Sequence, residues 1–388
     1  MQKHSVVIIA PGHDVCDKRV LRTVEVFREL SVDLVVFFER RFNPKTLSSD
    51  IDQSFRFVDS TKPFLRFIPR TDKYLREISG RHFDCVLVHD SGLNGLLICS
   101  RIRSKYPDAI IILDYHDFVD WEIVHQIQKF ISRPFLVKSF SWLVNRALRI
   151  LFTKVFKLSI DGIIGISEGQ LAHLESFLGK RLLNRLVVPN TRVRVGDRNP
   201  PHITYNNPDF VWLGNMVDGR DWPEMISYLD KLRKRYTFRL FVFGKAFNIG
   251  DSFVPLKRSY IHYCGSFQSD DDILKFCEFR PVIGLFFGWP DPFRTGINHI
   301  ASPNKLFSYL NCTIPIIYHH SLDVFPESAQ KLVGESFFSF SEFESAYNRM
   351  SDNYAWYVER SKQSRDFVLW DESAKKLLHR FFRNVLHF

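Results

Sequence analysis

The stretch ASPNKLFSYLNCTIPII, residues 301–317, gathers residue types that suit anion binding. Pro303 is preset for a first helical turn and Ser302 is suited to cap it, so Asn304, Lys305 and Ser308 fall near the amino-terminal end of a short helix. Such an end carries free N–H groups and the positive pole of the helix dipole, and both attract phosphate. Lys305 adds a full positive charge that helix capping alone does not require. Thr313 and Pro315 close the helix, and the apolar, β-branched run after them reads as a strand. The plain alternative is a β-α-β connection in which Ser302 and Pro303 only start the helix.

Other polar and ionisable residues follow apolar runs in the same manner. His13 and Asp14 follow SVVIIAPG, and His89 and Asp90 end DCVLVHD. His116 and Asp117 follow AIIILDY, and Glu168 follows DGIIGIS. In the second half Asn215 and Arg220 lie in GNMVDGR, and Lys245 follows Gly244 in GKAF. An arginine can hold two oxygens of a diphosphate at once, which is why Arg220 draws interest. Its plain reading is a solvated residue at a helix start, as Glu168 reads as a first-turn acid. Asp270, Asp271 and Asp272 read as a helix cap, with a metal-binding cluster the weaker alternative.

The elements that must position these groups alternate along the whole chain. SVVIIA, VDLVVFF, DCVLVHD, AIIILD, DGIIGIS and RLVVPN read as strands of a first half, with helices such as KRVLRTVEVFREL and NGLLICSRIRSKY between them. A polar stretch, VGDRNPPHITYNNPD, reads as a linker. FVWLG, FRLFVFG, YIHYCG, PVIGLFF and IPIIYH then repeat the pattern, separated by helices such as WPEMISYLDKLRKR and DDILKFCEF. This is the signature of α/β domains with parallel sheets, and ligands of such sheets bind beyond the carboxyl ends of the strands. The expected division is a first domain over 1–195, a linker over 196–208, a second domain over 209–360, and a helical segment over 361–388 that packs across the two.

Composition limits what these sites can serve. A chain of 388 residues, 45% hydrophobic and 25% charged, suits two globular domains. Its six cysteines lie far apart, without CxxC pairs, which favours reduced thiols and a cytoplasmic protein. The opening MQKHSVVIIAPG has too short an apolar run for a signal peptide, and no long uncharged stretch suggests a membrane span. A net charge of +10 asks for an acidic partner. No nucleic-acid recognition module is recognisable. The longest acid-free window, Ile123 to Ile160, instead suggests an anionic membrane surface. Within it Lys138, Asn145, Arg146, Arg149, Thr153 and Lys157 share one side of a helix, and Phe140, Leu143, Val144, Ala147 and Leu151 the other. The alternative is a helix that simply covers the first sheet.

The order of these motifs, from DKRVLR through LDYHD, DGIIGIS with VVPN, and LGNMVDGRDWPEMI to SPNKLFSYL, resembles that of GT-B glycosyltransferases, in particular the broad family 4. The resemblance covers roughly the whole chain. It implies two Rossmann-like domains facing each other across a cleft, with an acceptor-side first domain and a second domain that binds a nucleotide-sugar. It further implies retaining, metal-independent sugar transfer from a nucleoside diphosphate, with no cofactor beyond that donor, to a glycan or lipid-linked acceptor. By the same resemblance His116 and Asp117 stand in the catalytic place, and Gly12, His13, Asp14 and His89 on the acceptor side. Asn215, Arg220, Lys245, Ser302, Asn304, Lys305 and Ser308 would contact the donor.

The sequence departs from the family at several of these positions. Asn215 stands where a second phosphate-binding arginine is common, and Pro11-Gly12 where two glycines are. Ala301 and Ser308 replace the two glutamates of the donor site. Two other readings follow: a nucleotide-sugar epimerase of the same fold, or a non-catalytic subunit that binds a glycan or nucleotide.

Overall fold

The computed structural model describes residues 4–39 except 12, 14 and 16, then 53–58, 71–89, 92–116, 127, 134–155, 158–189, 192, 194–196, 207–214, 222–244, 257–267, 269–287, 304–320, 334–370 and 372–387. At 71, 72, 92, 134, 135, 137, 138, 155, 304, 367, 372 and 373 the description extends to the backbone alone.

The chain divides into two compact units, residues 1–188 with 372–388, and residues 189–371. The first holds β1 (Ser5–Ala10), α1 (Lys18–Glu29), β2 (Asp33–Glu39), β3 (Phe55–Val58), α2 (Thr71–Glu77), β4 (Cys85–His89) and α3 (Gly92–Lys105). It continues with β5 (Ile110–Tyr115), α4 (Pro134–Ile150), β6 (Gly162–Gly165), α5 (Glu168–Leu178) and β7 (Arg185–Val187). All seven strands are parallel, in the order β3-β2-β1-β4-β5-β6-β7. Val6 to Ala10 and Cys85 to His89 are buried throughout, which explains why these strands read as continuous apolar runs: a sheet covered on both faces has no polar side.

The second unit holds β8 (Asp209–Leu213), α6 (Trp222–Leu232), β9 (Leu240–Phe243), β10 (Ile261–Gly265), α7 (Asp270–Cys277), β11 (Val282–Phe286) and α8 (Asn304–Asn311). It closes with β12 (Ile316–His319), β13 (Gly334–Phe337), α9 (Phe340–Asp352) and α10 (Tyr354–Ser364). Its six strands are also parallel, in the order β10-β9-β8-β11-β12-β13. The last helix, α11 (Glu372–Leu386), returns to the first unit. There Phe382 stacks on Phe27 of α1 at 4.2 Å between ring centroids, and Lys375 and His379 pair with Glu25 and Glu29. Among the described residues no helix is long and apolar enough to cross a membrane.

Each sheet has one place where the strand order reverses, between β1 and β4 in the first and between β8 and β11 in the second. Parallel strands that connect away from each other leave a crevice at their carboxyl ends. In the second unit one tyrosine fixes that crevice. The pairing of β8 with β11 ends at Val211 and Gly284, and the Tyr309 hydroxyl of α8 enters where the strands part. It accepts the Leu213 N–H at 2.9 Å, and lies 3.1 Å and 3.2 Å from the carbonyl oxygens of Val211 and Leu285, to either of which it can donate. The ring lies flat against Gly284, where an added Cβ would come within 2.8 Å of it. Only glycine admits so close an approach.

Tyr309→Phe is expected to leave a buried N–H unpaired at a cost of about 1–3 kcal/mol. Gly284→Ala is expected to destabilise further by driving a methyl group into the ring. Urea unfolding checks both: midpoints should fall while the slope stays constant, and an unmoved midpoint for Tyr309→Phe would show that the hydroxyl does not carry the contact.

Candidate functional site

At the carboxyl edge of the first sheet the structure assembles three histidines around a buried acid. His89 is the last residue of β4 and has no exposed surface, Asp114 is the penultimate residue of β5, and His116 follows that strand. A carboxylate inside a buried strand must be paired. Arg19, in the first turn of α1, supplies the partner: Nε lies 2.9 Å and 2.8 Å from the two Asp114 oxygens, and Nη2 lies 2.6 Å from Oδ1. The same guanidinium donates through Nη1 to the Val188 carbonyl at 3.0 Å, which ties the end of β5 to the end of the sheet. His89 Nδ1 lies 2.7 Å from Asp114 Oδ2. Burial alone would raise the Asp114 carboxyl, but Arg19 and then His89 outweigh it and hold it well below the usual carboxylate range.

The loop after β1 is fixed by a second acid. Asp17 caps α1 by accepting the N–H groups of Arg19 and Val20 at 2.9 Å and 3.2 Å, and its other oxygen lies 2.8 Å from His13 Nδ1. Burial would raise this carboxyl too, yet the hydrogen bond and charge of His13 hold it below the usual range. His13 is thereby turned toward the strand ends, with its ring centroid 5.2 Å from that of His116 and 6.3 Å from that of His89. His116 Nδ1 lies 3.2 Å from the Asp114 carbonyl oxygen. Imidazoles held by carboxylates and carbonyls in this way can accept, donate or orient protons on a hydroxyl-bearing molecule.

The structure brings together His13, His89 and His116, the histidines that follow apolar runs in the sequence. Gly12, Asp14 and Asp117, expected beside them, lie outside the described residues. Arg19, Asp17 and Asp114 complete the cluster, and the position of strand ends alone does not single them out. The signal for Asp114 was present: an acid interrupting the apolar run IIILDY has no solvent to face. Glu168 opens α5 as a first-turn acid and pairs with Arg185.

In the second unit Lys305 occupies the first turn of α8, and its Nζ lies 4.8 Å from the ring centroids of both Trp212 on β8 and Phe286 on β11. It therefore sits over the two strands that flank the reversal, held by aromatic faces that favour its charge. Ser308, expected beside the donor, is only 3% exposed, and its hydroxyl accepts the Nε–H of Arg192 at 3.3 Å. Arg192 also lies 3.6 Å from Asp270, which accepts from Asn311 at 2.8 Å. Ser308 thus also takes part in an interior network of Arg192, Asp270 and Asn311. Asp272 completes the capping box of α7 with Ser269. No cluster of three His, Cys, Asp or Glu placed to hold a metal is present among the described residues. Asn215, Arg220, Lys245 and Ser302 lie outside the described residues, and Asn304 is described in its backbone only.

Because Asp114 and Asp17 are held below their unfolded values, they add stability above the unfolded carboxylate value of about 4 and lose it as pH falls towards the lowered folded values. Asp114→Asn, which leaves Arg19 without its charge partner, is expected to cost about 3–5 kcal/mol at neutral pH. Its stability should also decline less than that of the wild type between about pH 5 and about pH 2. Denaturant titrations across that range provide the check; parallel declines would mean that Asp114 is not the acid-sensitive group.

Neither a family model nor a curated protein matches the sequence. Solved structures do match in fold. The lipopolysaccharide outer core galactosyltransferase WaaB, in its apo form, aligns over 99% of this chain and 99% of its own with a TM-score of 0.64 at 15% identity. Anabaena HepE, in complex with UDP and glucose, aligns over 99% of this chain and 100% of its own with a TM-score of 0.61 at 12% identity. The N-terminal domain of a Candida albicans trehalose-6-phosphate phosphatase aligns over 100% of this chain and 97% of its own, with a TM-score of 0.62 at 10% identity. At such identities the likeness speaks for the fold, on which more than one chemistry can be built. The chain has the two-domain, Rossmann-like GT-B fold found in glycosyltransferases, as the order of its motifs suggested.

Proposed function

We propose that the protein is a glycosyltransferase that takes a sugar from a nucleoside-diphosphate sugar and passes it, with retention and without an obligatory metal ion, to a glycan or lipid-linked acceptor. The observation that carries this reading is Lys305, a cation in the first turn of α8 over the point where the second sheet reverses. A diphosphate against the amino end of α8 would meet N–H groups and an ammonium together. Both gain strength as the leaving group takes on charge, which is where electrostatic help lowers a barrier. HepE, of the same fold, holds UDP and glucose, which supports a donor of this class.

In this reading Arg220, Asn215 and Lys245 add further contacts to the diphosphate, with Ser302, Asn304 and Ser308 supplying polar groups. His116 and Asp117 orient the reacting hydroxyls, and Gly12, His13, Asp14 and His89 form the acceptor side. The reading of a non-catalytic binding subunit gains from one observation: Ser308, in the place of a family glutamate, has its hydroxyl engaged by Arg192.

Thermal shift and calorimetry with UDP, GDP, dTDP and CMP test the donor site, since a ligand that binds only the folded state raises its melting temperature. One nucleotide should bind selectively. Lys305→Met, which keeps an apolar stem between Trp212 and Phe286, should weaken it by about tenfold, or about 1.4 kcal/mol. Lack of binding by every nucleotide defeats the reading. Arg220→Ala should lower turnover far more than it alters melting. Incubation with a panel of nucleotide-sugars separates transfer or slow hydrolysis from donor interconversion and from binding alone.

A further inference from the structure

Helix α4 presents to solvent the face that a core helix would bury. Leu136, Phe140, Trp142, Leu143 and Ile150 are each between 45% and 60% exposed, and they are five of the twelve large hydrophobic side chains exposed among the described residues. At 100° per residue, Leu136, Phe140, Leu143, Ala147 and Ile150 form one stripe, while Arg146, Trp142 and Arg149 form a second beside it. The inward side is carried by Ser141 and by Phe152 of the π-helical turn Leu151–Val155 that continues α4. The apolar stripe therefore does not cover the first sheet.

The basic stripe opens into a groove of about 780 Å³ between α4 with its π-helical turn and α5. Arg146, Arg149 and Lys154 line it, together with Trp142 and Phe177, and no acid lines it among the described residues. Arg149 is seated against Gly179, the left-handed residue that ends α5, where an added Cβ would lie 2.5 Å from Nη2. The Arg146 guanidinium stands 5.4 Å from the Trp142 ring centroid. From Pro134 to Val155 the sequence contains Lys138, Arg146, Arg149 and Lys154 and no acidic residue. Exposed aromatic and aliphatic side chains beside an unbalanced row of cations complement one surface in both respects: an anionic phospholipid bilayer, apolar within and phosphate-bearing at its edge.

We propose that α4 docks the protein on an anionic bilayer, with the Leu136–Ile150 stripe in the acyl boundary and a lipid phosphate in the groove between Arg146, Arg149 and Lys154. Arginine stems can lie along apolar surface while their heads reach the headgroups, so the two neighbouring stripes act together. The proposal stands on the α4 face and is independent of sugar transfer, so nucleotide binding measured without vesicles is unaffected by its outcome.

Co-sedimentation of the full chain compares vesicles of phosphatidylcholine alone with vesicles that also contain phosphatidylglycerol. Binding should favour the anionic vesicles by on the order of tenfold or more and be released by high salt. Arg146→Glu with Lys154→Glu should abolish that preference, and Phe140→Ser with Leu143→Ser should weaken binding to both kinds of vesicle. All four side chains are exposed and normal melting curves are expected. Where a variant fails to fold, the salt release of the wild type decides. Equal binding to both vesicles, binding that survives high salt, or binding by the folded reversal variant would each overturn the proposal. So would binding of glycerol phosphate without binding of vesicles. A dimer in solution that Phe140→Ser and Leu143→Ser dissociate, with no vesicle binding, would assign the face to a second copy of the chain instead.

Discussion

A carboxylate at the end of a buried strand is costly unless its charge is met, and the first unit is organised around meeting the charge of Asp114. The guanidinium that does so stands on α1, so the start of α1 is held to the end of β5, and through Val188 to the far side of the sheet. Once Arg19 is fixed, Asp17 just before it caps the helix and holds His13. His89 approaches the same carboxylate from β4. Three imidazoles from three segments distant in sequence are thus gathered at one edge, His89 by the Asp114 carboxylate, His116 at the Asp114 carbonyl and His13 by Asp17. Single buried ion pairs are weak evidence for stability, but removing one partner is expensive, which makes such a centre well suited to holding a geometry.

In the second unit a neutral group serves the point where the strand order reverses. There the parting of β8 and β11 exposes backbone groups that water cannot serve, and the Tyr309 hydroxyl serves them. Because Tyr309 and Lys305 stand one helical turn apart on α8, fixing the phenol against Gly284 also fixes where the lysine enters the crevice. The polar network of Arg192, Asp270, Asn311 and Ser308 holds α8 from its other side. A basic residue at the opening of a short helix is thereby placed with the precision of a core side chain.

Most of the architecture was legible because period and composition carry it. Runs such as VVIIA and IIGI are short and rich in β-branched residues, as strands buried on both faces are, and the helices between them keep one apolar side. The edge strands β3 and β13 escaped notice because FRFV and GESF are short and only half buried, so neither shows a continuous apolar run. At the site, histidines after strands were legible since topology sends every such segment to the same edge. The residues that hold them were less so: pairing of Arg19 with Asp114 spans 95 positions, and no local pattern announces a contact of that range. The partner of Ser308 was hidden for a related reason. The place of Ser308 on the helix was evident, whereas the direction of its side chain depends on where Arg192 lies. The apolar side of α4 illustrates a further limit, since periodicity tells which residues share a face and leaves open which way that face turns.

The contact between Tyr309 and Gly284 also bears on how this chain can diverge. The two positions are 25 apart in sequence, and each restricts the other: a side chain at 284 requires a smaller or displaced ring at 309, and loss of the ring's hydroxyl strands a buried amide. Substitution at either site alone passes through a less stable protein, so the two should change together or not at all. In distant relatives whose overall identity has decayed, a glycine in the middle of the reversal strand and a tyrosine one turn into the following helix should therefore persist as a linked pair.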